Sequence, residues 1–111
     1  MKYIVSVSLL VFLLLPTVWG QTSDDFESTR ALADQGNADA QYNLGVMYAN
    51  GEGVPENDVM AYVWFSVSAT QGTESARENR DIISKELTTE QRAKGQEIAT
   101  RCFDSDFKDC K

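Results

Sequence analysis

The chain has 111 residues, 42% of them hydrophobic and 24% charged, and its 17 acidic residues against 10 basic ones set a formal net charge of −7. That length supports one small domain, and so acidic a balance with no cluster of Lys and Arg argues against nucleic acid as a partner, because phosphate binding needs concentrated positive charge. Histidine is absent, which removes Ser-His-Asp and Cys-His nucleophile pairs, His-containing zinc sites, and the side chain that ordinarily titrates nearest neutral pH.

Lys2, the apolar run Ile4 to Leu15, a break at Pro16 and the compact residues Val18 and Gly20 ahead of Gln21 form the pattern of a secretory signal peptide over residues 1–20. The apolar run is 12 residues long, short of the roughly 20 a helix needs to cross the hydrocarbon core, so no membrane span is expected after signal cleavage. Residues 21–111 then form a single domain with 9 basic and 17 acidic residues, a formal charge of −8, exported to the periplasm or secreted. Acidity of this kind serves solubility first, with a preference for basic partners as the alternative reading.

Ser23 to Gln35 reads as a helix bordering the central unit, and around Phe26 and Leu32 it is the less well capped side of the stack, the alternative edge for self-pairing or for docking on a larger partner. Asn37 can cap a helix running to about Asn50, since a short polar side chain there accepts a hydrogen bond from a first-turn amide, and Gly51 ends it. Gln41, Leu44, Gly45 and Tyr48 share one face of this helix; Asp39, Tyr42, Val46 and Ala49 or Asn50 share another. A glycine inside a helix costs about 1 kcal/mol relative to alanine, so Gly45 implies a second helix approaching its backbone closely. After the GEGVPEND turn, with Asn57 or Asp58 as cap, that second helix runs from about Asp58 to Gln71. Its two stripes, Ala61, Trp64, Phe65 and Ala69 on one side and Met60, Val63 and Val67 on the other, predict burial on both sides.

A third pattern runs from Thr73 or Glu74 to about Leu87, with Ala76, Asn79, Ile82, Ile83 and Leu87 directed inward and Arg77, Glu78, Asp81 and Lys85 outward. Thr88 and Gln91 are spaced as a capping box for a last helix that places Gly95, Ile98, Ala99 and Cys102 inward and Arg92, Gln96, Glu97, Thr100 and Arg101 on a polar outer face. A stack of helices must end on such a surface to stay soluble. Cys102 and Cys110 are expected to pair in an exported chain, pinning the tail 104–111. No C-x-x-C spacing points to redox or metal work, and Asp104, Asp106 and Asp109 lack the loop glycine and distal glutamate of an EF-hand.

Gly36, Ala40, Leu44, Gly45, Tyr48, the Gly51-Glu52-Gly53-Val54 turn, Asp58, Ala61, Trp64, Ala69 and Gly72 together resemble the Sel-one-like repeat, a relative of the tetratricopeptide repeat with a longer turn between its helices. The resemblance covers one full repeat, about 36–72, a third of the chain; residues 73–103 resemble the cap helices that border such units but lack the Leu-Gly-x-x-Tyr core. It implies an all-α fold, a short α-solenoid of antiparallel helix pairs with about five helices. It further implies a non-enzymatic adaptor without cofactor or metal, whose concave face presents Asp39, Tyr42, Val46 and Asn50 to a protein or peptide in the cell envelope or outside the cell. Packing of Tyr42 and Val46 against the preceding helix is the alternative for that face, and self-association stays open. Two competing functions are a structural envelope component and a β-lactam-binding or hydrolysing role, which resembles a cysteine-containing branch of the family. Cysteines of that branch lie inside each repeat, whereas Cys102 and Cys110 lie at the chain's end.

Overall fold

A computed structural model describes residues 18–111, with side-chain surroundings from residue 24 onward. The expected signal peptide lies outside the described residues except for its last three positions, which begin the first helix. Among the described residues there are five α-helices and no strands: α1 (Val18–Asp34), α2 (Ala38–Asn50), α3 (Asp58–Thr70), α4 (Glu74–Ser84) and α5 (Thr89–Asp104).

The polar punctuation of the sequence sets most of these ends. Asn37 Oδ1 accepts from the Ala40 amide at 2.9 Å and Asn57 Oδ1 from the Met60 amide at 3.1 Å, each satisfying a first-turn donor that the helix itself cannot. Gly51 closes α2 in the left-handed region, φ 72°, its amide donating to the Met47 carbonyl. At α5 the capping box is complete: the Gln91 amide donates to Thr88 Oγ1 at 3.1 Å and the Thr88 amide donates to Gln91 Oε1 at 2.9 Å.

The third helix is the centre of the molecule. It packs on α2, α4 and α5, while α1 packs on α2. Seven of its 13 residues are buried, which few helices of so small a chain achieve unless neighbours cover them on opposite sides. One side joins Val63, Trp64 and Val67 to Phe26, Ala33, Leu44, Ile98 and Cys102; the other joins Ala61, Tyr62 and Phe65 to Ala76, Ile83 and Leu87. Trp64 therefore sits with Val63 and Val67 and not, as its stripe suggested, with Phe65. Adjacent helical residues diverge by about 100°, and the Phe65 ring turns toward α2, where a Cβ on Gly45 would lie 2.6 Å from it. Gly95 of α5 does the same for Tyr62, again at 2.6 Å. Two glycines on flanking helices thus make room for two aromatic rings of α3, which compensates their poor helix propensity.

Buried polar groups lock the helix pairs together. Gln41 is fully buried, and its Nε2 donates to the Ala33 carbonyl at 3.0 Å while its Oε1 accepts from Gln71 Nε2. Ser68 Oγ donates to the Ala38 carbonyl at 2.8 Å. Left unpaired, a buried polar group of this kind costs about 1–3 kcal/mol.

Two expectations for α4 are corrected. The helix ends at Ser84, three residues before Leu87, because its last turn tightens into i→i−3 hydrogen bonds from the amides of Lys85, Glu86 and Leu87. Leu87 is buried nonetheless, but Ile82, expected inward, is 60% exposed. Ile83 fills the single core position available to that turn, and its neighbour is rotated away.

The tail folds back as a bridged hook. Cys102 and Cys110 form a disulfide, and Asp106 and Phe107 adopt left-handed backbones, φ 59° and 66°, with the Phe107 amide donating to the Cys102 carbonyl at 2.8 Å. Arg101 ties the hook with an ion pair to Asp109 at 3.1 Å.

A candidate interaction groove between α2 and α4

A groove of about 420 Å³ opens between α2, the turn leading into α3, and α4. Phe65 and Ile83 form its buried floor; Tyr42, Val46 and Ala49 are the half-buried wall contributed by α2; Ile82 stands exposed on the opposite lip. Tyr42 is held in place from two directions. Its ring packs against Phe65 with centroids 5.8 Å apart, and its hydroxyl accepts a hydrogen bond from Asn79 Nδ2 at 3.2 Å, across to α4. The rim carries Glu56, Asp58 and Glu86, with Asn50 beside them, and no basic residue lines the groove.

Of the four residues expected on a concave face, the structure brings Tyr42, Val46 and Asn50 together in this groove. Asp39 lies on the same stripe of α2 but sits in the first turn, exposed and outside the groove. The packing alternative for Tyr42 and Val46 is also corrected: they pack toward α3 and α4, while the face carrying Gln41, Leu44 and Tyr48 meets α1, with Tyr48 edge-on to Phe26 at 5.7 Å.

Sequence reasoning missed Ile82, Asn79 and the three carboxylates as groove residues. Ile82 had a readable signal, an apolar residue left over beside Ile83 on a one-stripe helix. The carboxylates had none, since Glu56 and Asp58 read equally well as solvation and capping of the turn, and Glu86 reaches the groove only through the tightened end of α4. Among the described residues there is no group of three or more His, Cys, Asp or Glu side chains placed to hold a metal ion, and no helix is long and apolar enough to cross a membrane.

Comparison with known proteins covers the α2–α3 pair, which supplies one wall and part of the floor of this groove: a family model described as the Sel1 repeat matches residues 38–73, ending before α4. The chain carries a Sel1 repeat. The match spans α2, the turn and α3, so the observed helices are one unit of a tetratricopeptide-like α-solenoid, a module that typically mediates protein binding. An exopolysaccharide production negative regulator of Rhizobium meliloti (strain 1021) is 37% identical over 60 residues, covering 54% of this chain and 22% of that protein. A protein of the same description from Rhizobium leguminosarum bv. viciae is 35% identical over 68 residues, covering 61% of this chain and 26% of its own length. The chain thus spans about a quarter of the length of these curated relatives. No solved structure matches.

Proposed function

We propose that this protein is a non-enzymatic, exported Sel1-repeat module that binds a segment of another protein in the groove between α2 and α4. The observation that carries the reading is the exposed Ile82 facing a wall of Tyr42 and Val46: an apolar surface left open on a helix that otherwise shows polar residues to solvent. Exposed apolar side chains that converge on one groove mark interaction sites more often than those scattered singly. Export is supported by the sequence pattern of residues 1–20 and by a disulfide, which persists in oxidising compartments. The names of the Rhizobium relatives favour a regulatory role, in which the module holds or masks another protein, over a purely structural one.

Placing a photo-crosslinking residue at Val46 tests the site. In cells expressing the full coding sequence, it should trap a partner that the same residue at Glu90, exposed on α5, does not. Equal trapping from both positions would sink the groove assignment. Fractionation with N-terminal sequencing tests export, which predicts a mature protein beginning at Gln21 outside the cytoplasm.

A further inference from the structure

Building on the groove reading above, we propose that the partner segment is a basic one: an aliphatic side chain seated against Ile82 and Val46, flanked by Lys or Arg that reach Glu56 and Glu86. Two observations carry this. First, six ion pairs form among the described residues, engaging Arg30, Arg77, Arg80, Lys94 and Arg101, and none of them involves Glu56, Asp58 or Glu86. Lys85, Arg92, Lys108 and Lys111 take part in none of these pairs, but no Lys or Arg lines the groove, so its three carboxylates surround an apolar surface without an ion pair of their own. Second, the three carboxylates differ in what the fold gains from them. Asp58 lies in the first turn of α3, where the helix dipole favours an anion. Glu86 lies just beyond the end of α4, where the same dipole disfavours an anion and favours a cation. Arg92 Nη1 already answers that dipole at the Ser84 carbonyl, 2.9 Å away, but neither it nor Lys85 forms an ion pair with Glu86, which stays open to a cation from outside.

Charge complementarity of this kind sets partner choice and association rate more than raw affinity. An acidic or purely apolar segment would cover the rim carboxylates without compensating their charge, which costs affinity.

The test is selection of a random-peptide library against the protein expressed from its full coding sequence, followed by affinity and salt dependence for the selected peptides. Variants are Glu56→Gln with Glu86→Gln, Val46→Glu, and Asp24→Asn with Asp25→Asn as a control that removes the same charge at exposed positions of α1. Selected peptides should carry an aliphatic residue between Lys or Arg, lose binding to Val46→Glu, weaken at high salt, and bind the Glu56/Glu86 variant about three- to tenfold more weakly, the scale of two partly exposed ion pairs. The Asp24/Asp25 control should leave affinity unchanged. Peptides that depend on Val46 but are neutral or acidic, or ignore the Glu56/Glu86 change, would keep the groove and overturn the basic partner. Peptides indifferent to Val46→Glu would overturn the groove itself, and self-association abolished by Val46→Glu, seen by light scattering, would put a second copy of this chain there instead.

Discussion

Neighbouring helices α3 and α4 are nearly the same length, yet α3 buries seven residues and α4 buries two, Ala76 and Ile83. The difference is one of position in the stack. α3 has α2, α4 and α5 around it, so almost any apolar residue it carries finds a neighbour; α4 touches the core along one stripe and shows the rest to solvent. In a solenoid each unit buries only its neighbours, and the contrast separates the residues that hold the fold from those free to recognise something else.

The largest test of that division is Trp64→Ala. Trp64 is fully buried in α3, and its loss should cost about 3–5 kcal/mol in denaturant unfolding, enough to leave a marginal chain largely unfolded. A cost under about 1 kcal/mol would mean that α3 is not the centre of stability.

Removing the bridge with Cys102→Ala and Cys110→Ala comes next, at about 2–3 kcal/mol on the chain-entropy account of a short loop. Both cysteines belong to the core on the Trp64 side of α3. The contrast between helices is sharpened if their loss leaves peptide binding at the groove intact below the melting transition.

Gly45→Ala examines how α3 is packed. A methyl group there would sit 2.6 Å from the Phe65 ring, and overpacking set against about 1 kcal/mol of improved helix propensity should leave a net loss of about 1–2 kcal/mol. Phe65→Leu in the same chain should recover part of that loss. Additive effects in this double-mutant cycle would show that the two groups do not meet.

The smallest expected stability effect belongs to α4. Ile82→Ser removes an exposed side chain and should shift unfolding by less than about 0.5 kcal/mol, while abolishing crosslinking from Val46. A large loss of stability would place Ile82 in the core after all.

Features decided within a few residues were legible in the sequence. Asn37, Gly51, the Thr88–Gln91 box and the close approach at Gly45 all follow from local geometry, and they stand where the spacing put them. What could not be read depends on how far one helix extends along another. Asp39 shares a stripe with Tyr42 and Val46, yet on α2 the groove begins at Tyr42 and leaves it outside. Likewise nothing in the pair Ile82–Ile83 says which of two adjacent apolar residues takes the core. The division of α3 into faces was misjudged at Trp64 for a related reason: with apolar residues nearly all round, the stripe boundary is set by which neighbour offers a glycine.

The hook at the chain's end also has a consequence in time. Its Phe107 ring lies over the turn between α1 and α2, so close that a Cβ on Gly36 would stand 3.0 Å from it. Helix pairs assemble from contacts between neighbours in sequence and form quickly, whereas a contact joining the end of the chain to the beginning of the repeat waits for loop closure. Phe107 should therefore seat last, guided by a left-handed turn that the nearby bridge already constrains. Real-time NMR during refolding reads this order, with the contact between the Phe107 ring and Gly36 appearing after the amides of α2 and α3 gain protection. The chain would then carry at its end a clasp that closes only on a finished stack.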